Sequence, residues 1–396
     1  MSDDAELRVL LVDPSLFTAP YDAALTEGLK TAGVRPTWIV RPTRADDREE
    51  LPADVSEPLF YGWIERRAWL SPKIRTLAKG VSHAWGLGKL VQRVVQKKPD
   101  IVHFQWVVVP PLDSAAIWLL AAFCPLVLTV HDTVPYNGDR MSWLQRWGFD
   151  LPLRLCDGII VHTQAGRDAL LARGISSSKL SVIAHGALPL RQEPTDAALA
   201  RAADGLYHFV SFGEIKSYKG LDVLIEALAL MPRATRERAR VIIAGRPRID
   251  LAPLMARVEQ LGLSSLVELR ARRLSEPEMA DLFHLADCFV FPYRQIDASG
   301  VYFLVKGLGK WLIASRVGIF AEDVRDGEQG RLVPVADAQA LAEAMTAAVD
   351  GQRTPTPVAP GTDWTDIGKA TSELYRSLRA RRTLARGTAS GVGAPT

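Results

Sequence analysis

The chain has 396 residues, a length that suggests two or three domains, and at 48% hydrophobic and 23% charged it has the composition of a folded protein, not a disordered one. Lys plus Arg number 48 against 45 Asp plus Glu, a net charge of +3, which argues against a surface basic throughout for nucleic acid. The three cysteines (Cys124, Cys156, Cys288) are far apart and odd in number, so they make neither a disulfide framework nor a Cys-rich zinc site, and a reducing cytoplasm fits them.

The acidic start, MSDDAELRVLLVDP, shows no secretory pattern and runs straight into a strand. Short β-branched runs then alternate with helical stretches. Strands are expected at Arg8–Asp13, Thr37–Val40, Ile101–Phe104, Leu126–Val130, Gly158–His162 and Leu180–Ala184. The longest apolar run, Ala115–Val130, has 16 residues divided by Pro125. A membrane span needs about 20, so the run reads as a buried helix end, a turn and a buried strand. After the Ala-rich stretch Glu193–Asp204 a second series follows: His208–Gly213, Ala239–Ala244, Val267–Leu269, Cys288–Phe291, Trp311–Ala314 and Gly330–Val333. Continuous apolar strands separated by helices predict parallel sheets covered on both faces, hence an α/β chain with two doubly wound domains. From Thr383 onward the sequence loses its periodicity and reads as a disordered tail.

Several chemistries are missing from the motif scan. No G-x-G-x-x-G follows the first strand, and no G-x-x-x-x-G-K-[ST], H-E-x-x-H, G-x-S-x-G or strand-ending D-x-D occurs. What remains suits an anion. In Ser211–Leu228 a strand ends at Gly213, Lys216 and Lys219 follow, and Gly220 precedes a helix with Leu221, Leu224, Ile225 and Leu228 on one face. Two cations beside a helix N-terminus suit a diphosphate, although a solvated basic turn has the same pattern. In Phe291–Ser315, Ser299 and Gly300 open a helix whose first N–H groups can cradle phosphate oxygens; an ordinary capped helix reads the same way. His131 and Asp132 follow the strand Leu126–Val130, His103 and Trp106 mark its neighbour, and His185 and Gly186 close the last strand of that series. A capping role accounts for any one of these histidines alone, but three at the ends of three strands are harder to dismiss. His83, His162, His208 and His284 read as structural.

Taken in order, VHD, IAHG, FGEIKSYKG, FPYRQIDASGV and VGIFAEDVRDGEQGRLVPVAD resemble the GT-B glycosyltransferases of family 4 across about residues 8–378, and TDWTDIGKATSELYRSL resembles that family's C-terminal helix, with Trp364 and Tyr375 in place. The resemblance implies two Rossmann-like domains facing each other across a cleft: an acceptor domain, 1–195, and a nucleotide-sugar domain, 205–378, followed by the tail 383–396. It implies a hexosyltransferase-type enzyme that moves a sugar from a UDP- or GDP-linked donor with retention, without metal or other cofactor. Carried over by position, Lys219 and Lys216 neutralise the diphosphate, the amides of Ser299, Gly300 and Val301 assist, and Gly245, Arg246 and Arg272 lie near the nucleotide. His131 sits under the donor sugar. The family's paired acids are absent: their positions hold Ile296 and Leu304, and Asp297, one place along, is the nearest acidic substitute.

Segment 61–98 carries nine cations (Arg66, Arg67, Lys73, Arg75, Lys79, Lys89, Arg93, Lys97, Lys98) and one acid, Glu65, with Trp63, Trp69 and Trp85 interleaved. That one-sided charge suits an anionic membrane surface, while a solvated helix pair with its tryptophans in the core is the other reading. Nucleic acid is not expected as a partner. The expected acceptor is a lipid-linked saccharide in bacterial polysaccharide or glycolipid synthesis, at the cytoplasmic face of the cell membrane. Two alternatives share the architecture: a catalytically inactive scaffold and a nucleotide-sugar 2-epimerase, the latter needing carboxylates placed for proton transfer at carbon.

Overall fold

The structure, a computed structural model, describes residues 6–44, 51–65, 71–133, 148–190, 192–202, 205–351 and 363–390. The chain forms two compact units, Met1–Gly186 together with Thr362–Thr396, and Ala187–Gly361.

The first unit holds a seven-stranded parallel sheet in the order β3-β2-β1-β4-β5-β6-β7, made of β1 (Leu7–Val12), β2 (Val34–Val40), β3 (Ser56–Pro58), β4 (Ile101–Phe104), β5 (Leu126–Val130), β6 (Gly158–Val161) and β7 (Leu180–Val182). The second holds a six-stranded parallel sheet, β10-β9-β8-β11-β12-β13, from β8 (Tyr207–Phe212), β9 (Ala239–Ala244), β10 (Val267–Arg270), β11 (Cys288–Phe291), β12 (Trp311–Ser315) and β13 (Gly330–Val333). Strands β4, β6 and β11 are buried along their whole length, because helices cover both faces of the sheets there. Each unit has its own core. One cluster in the second unit gathers Phe209, Leu224, Leu228, Val241, Ile243, Val290, Ile313 and Met345.

Three expectations change. The boundary expected at 195–205 falls at Gly186/Ala187, since Leu188 N donates to Phe303 O at 3.2 Å and Thr195 N to the Asp281 carboxylate at 2.7 Å, both within the second unit. The residues that follow, expected to finish the second domain and then trail off, form a helix, Trp364–Ser390, that packs against helix Ala19–Thr31 of the first unit. Ile367, Tyr375 and Leu378 join that unit's core. Residues 383–390 therefore continue a helix instead of beginning a tail; 391–396 lie outside the described residues. Finally, the helix end in the long apolar run is buried on one face only: Ile117 and Leu120 lie in the core, whereas Trp118 is 66% exposed with Leu119 and Phe123 exposed beside it; β5 is buried as expected.

Among the described residues no helix is long and apolar enough to cross a membrane. In helix Pro72–Lys97 the inward face carries His83, Leu87, Leu90 and Val94. His83 Nε2 lies 2.8 Å from Asp113 Oδ1, so its structural reading stands. The outward face carries Ile74, Leu77, Val81 and Trp85, all exposed. Arg66, Arg67 and Trp69 lie outside the described residues, as does the Lys73 side chain.

Candidate functional site

In open parallel sheets ligands bind beyond the carboxyl ends of strands, where the strand order reverses. In the second unit this is between β8 and β11, so loops 213–220 and 292–299 meet there. They are tied together. Arg294 N donates to Tyr218 O at 2.7 Å, and the Arg294 guanidinium donates to both oxygens of Asp222 at 2.9 and 2.6 Å, holding that carboxyl below its usual range. Lys219, 5% exposed, is the charged group at the centre. Its Nζ donates to Phe212 O at 2.8 Å and lies 5.4 Å from the centre of the Tyr293 ring. Burial pushes this amine down to about 7; the carboxylate of Glu214 pulls the other way and Lys216 adds to the depression. A methyl group added at Gly213 would meet Lys219 Nζ at 2.8 Å and Val301 Cγ2 at 3.0 Å, so the end of β8, Lys219 and Val301 converge on one point. Gly245 (φ +147°) brings the end of β9 against them: a Cβ there would lie 1.9 Å from Gly213 O, which only glycine allows.

Ser299 caps helix Gly300–Gly307 by accepting from Tyr302 N at 3.4 Å, while Gly300 is exposed and faces open space. The structure thus brings Lys219, Gly245, Ser299, Gly300 and Val301 together around the end of one sheet. Lys216 is adjacent, 3.6 Å from a Glu214 carboxylate that also pairs with Arg248. Arg246 contributes its carbonyl, which accepts from Ile215 N, and its side chain is exposed. Arg272 is exposed and held by Glu278, the residue that completes the capping box of the next helix. Asp297 is half-buried and its carbonyl accepts from Ile319 N at 3.0 Å. A buried amine beside open helix N–H groups is an arrangement that binds and stabilises an anion.

In the first unit the order reverses between β1 and β4, and an aromatic and histidine cluster stands there. Trp106 Nε1 donates to Thr18 Oγ1 at 3.0 Å, and its ring stacks on His131 with centroids 4.9 Å apart. His131 Nε2 is 3.2 Å from Gln105 Oε1 and its Nδ1 is 3.2 Å from His162 Nε2; His162 Nδ1 is 3.0 Å from Ile183 O. Tyr21 packs against His131, His162, His185 and Trp364. Burial holds His131 well below the usual histidine range and lowers His162 to about 4.

Two histidine readings change places here. His103, expected at a strand end, is inside the core between Tyr375 OH (2.6 Å) and Thr129 Oγ1 (2.7 Å), and burial lowers it to about 3. His162, expected to be structural, touches His131. The signal was present: His162 follows β6 as His131 follows β5. Gln105 and Tyr21 carried no such mark. Among the described residues no group of three or more His, Cys, Asp or Glu side chains is placed to hold a metal ion.

Comparison with known proteins gives the same division. Residues 23–187 match the family described as Glycosyltransferase Family 4, and residues 207–350 match Glycosyl transferases group 1. The D-inositol 3-phosphate glycosyltransferase of Rhodococcus jostii is 27% identical over 80% of this chain and 67% of its own. A D-inositol 3-phosphate glycosyltransferase of Catenulispora acidiphila is 25% identical over 96% of this chain and 89% of its own. Among solved structures, Anabaena HepE in complex with UDP and glucose has a TM-score of 0.67 at 19% identity, covering 94% of this chain and 100% of that one, a likeness of fold. With one family match in each unit, bacterial relatives named for glycosyl transfer and a GT-B neighbour of the whole chain, the protein belongs to the group 1, family-4-like glycosyltransferases of GT-B fold and is a hexosyltransferase.

Proposed function

We propose that the enzyme takes a nucleoside-diphosphate sugar into its second unit and transfers the sugar, with retention, to a phosphate-bearing acceptor at a membrane surface. The observation that carries the donor half is the buried Lys219 beside the open N-terminus of helix Gly300–Gly307. As the bond from the anomeric carbon to the β-phosphate oxygen breaks, its electron pair stays on the leaving diphosphate, where the Lys219 ammonium, Lys216 and the amides of Gly300 and Val301 stabilise it. The acceptor hydroxyl oxygen forms the new bond to carbon, and its proton passes to the departing phosphate. Retention rests on the family. Gly245, Arg246 and Arg272 are assigned to the nucleotide, His131 to the sugar, and Asp297 to the sugar as the carboxylate nearest the missing acids.

Titration of UDP and GDP tests this. One of the two binds to the wild type, and Lys219→Met weakens that binding and lowers kcat by about 10²–10³ with the matching sugar nucleotide. Binding of neither, or a variant that binds and turns over at the wild-type level, rejects the site.

The acceptor half is supported by the outward row of helix Pro72–Lys97. Ile74, Leu77, Val81 and Trp85 recur at helical spacing, with the exposed cations Lys79 and Lys89 beside them and Lys89 Nζ 5.9 Å from the Trp85 ring centre. Trp85, 64% exposed, does not belong to the core, which favours the membrane reading of this segment over a solvated helix pair. The relatives' names specify a phosphorylated inositol as acceptor; a lipid-linked saccharide presents the same phosphate chemistry at an anionic surface. Each cation near such a surface contributes about 1 kcal/mol. Co-sedimentation with phosphatidylserine-containing vesicles, and not with phosphatidylcholine alone, is expected, and Leu77→Ser with Trp85→Ser releases the protein. Equal recovery from both vesicle types removes the membrane from the proposal.

A further inference from the structure

The chain of three contacts Gln105–His131–His162–Ile183 has a direction, and it fixes which nitrogen of the His131 ring carries the proton. Ile183 O can only accept, so the contact of 3.0 Å requires a proton on His162 Nδ1. A neutral His162 then presents a lone pair at Nε2. The 3.2 Å contact to His131 Nδ1 is a hydrogen bond only if His131 donates. A neutral His131 is left with its lone pair on Nε2, 3.2 Å from the Gln105 side-chain amide. With Gln105 Oε1 facing that lone pair the contact is repulsive. A half-turn of the amide, which exchanges oxygen and nitrogen in place, turns it into a bond and sets the oxygen toward His103, whose Nε2 is 3.5 Å from the amide.

The other arrangement keeps Oε1 toward His131 and places a second proton on one of the two rings. The surroundings oppose it. His131 is stacked under Trp106 and edge-on to Tyr21, His162 and His185 are tilted against the same tyrosine, and His103 lies behind Gln105. None of these neighbours carries a negative charge. Desolvation depresses both rings; the nearby histidines lower His131 further, while the bond to Ile183 O offsets only part of the effect at His162.

We infer that His162 is a positioning residue that holds His131 as the neutral Nδ1–H tautomer, with the Gln105 amide donating to the Nε2 lone pair that results, so that His131 meets the transferred sugar with an acceptor at Nε2, not with a proton to give. The chain runs from Gln105 N–H to His131 Nε2, from His131 Nδ1–H to His162 Nε2, and from His162 Nδ1–H to Ile183 O. The sugar contact rests on the proposed function; the tautomer does not. A hydroxyl arriving at Nε2 replaces the Gln105 amide as donor, so the site strips no bond from His131 on binding. A residue that supplied an acid at this point would need the opposite tautomer or an extra proton, and the enclosure disfavours both.

Long-range proton–nitrogen correlation spectra of the full-length protein, with its histidines labelled with ¹⁵N, read the tautomer directly on the ligand-free enzyme. The expected result between pH 6.5 and 8 is a protonated Nδ1 and an unprotonated Nε2 for both His131 and His162. His162→Asn keeps a donor for Ile183 O but does not reach His131, and His131 should then shift to a mixture of tautomers. Gln105→Leu should leave the Nδ1–H form in place and alter the Nε2 resonance alone. An imidazolium or an Nε2–H tautomer at His131 in the wild type overturns the inference, and so does an unchanged His131 tautomer in His162→Asn. Because these spectra need no substrate, failure of UDP and GDP to bind would reject the proposed function while the tautomer result stood by itself.

Discussion

Lys219 shows how one residue's surroundings set its chemistry. Its amine loses solvent between the Phe212 carbonyl and the Tyr293 ring, and desolvation outweighs the attraction of Glu214, bringing it to about 7. The unfolded chain keeps a lysine near 10.5, so between about 7 and 10.5 the unfolded state binds more protons. Stability therefore rises with pH across that window, and the full cost of the buried charge is felt below it. A diphosphate selects the ammonium form and restores the proton. Nucleotide affinity should accordingly be flat below pH 7 and fall about tenfold per unit above it, until the bound-state titration is reached. Calorimetric titration of UDP or GDP from pH 6 to 9 checks this, with net proton uptake at pH 8 as a second readout; an affinity constant across pH 7–9 would place the donor away from Lys219. The sequence marked Lys216 and Lys219 as a pair but could not rank them. Their difference comes from a carbonyl on β8 and a ring from the loop after β11, brought together only by the fold. The histidines divide in the same way. His131 stands at the end of β5 where its place in the sequence put it, whereas the His103 side chain turns to the core and meets Tyr375 and that of His162 turns toward His131.

At the scale of elements, what was legible was what a short run encodes by itself. β4, β5, β9, β11 and β13 match the expected bounds residue for residue; the first four are short, largely apolar runs, and β13 is marked by the glycine that opens it. β3 was not expected: Ser56, Glu57 and Pro58 have no apolar alternation, and the strand exists because Phe60 N donates to Val40 O and β2 offers an edge. The closing helix was legible as a helix but not in its allegiance. A stripe of Ile367, Ala370, Leu374 and Leu378 announces a buried face without naming the core it faces. The answer is in two glycines. A Cβ on Gly28 would lie 2.1 Å from Trp364 O, and one on Gly368 would lie 2.0 Å from Gly28 O, so helices Ala19–Thr31 and Trp364–Ser390 cross backbone to backbone. Such a contact selects one partner, and it could not be read from either segment separately. Across the same unit Tyr375 OH reaches His103; the loss of one partner from a buried pair of this kind costs about 1–3 kcal/mol.

At the scale of the whole molecule, the second unit is an insertion in the first. The chain leaves the first unit after Gly186 and returns to it at Thr362, and the core of that unit is incomplete until Ile367, Tyr375 and Leu378 arrive. The two ends of the interruption are close: a Cβ on Gly186 would lie 2.6 Å from the Trp364 ring. The second unit is contiguous and owns its core, so it has what a separate domain needs. Residues 187–361 expressed alone should fold, melt cooperatively and retain nucleotide binding. Residues 1–186 alone should not fold, since His103 would lose the tyrosine hydroxyl on its Nδ1 and the helix Ala19–Thr31 the glycine-lined face it packs on. Joining 1–186 to 363–396 through a short Gly/Ser linker in place of the second unit should restore a folded first unit, because the linker spans a few ångströms instead of a domain. Circular dichroism melts of the three chains decide the matter. A cooperative transition in 1–186 alone would show that the closing helix is dispensable, and the linked chain failing to fold while 187–361 folds would show that the first unit needs more than its missing helix.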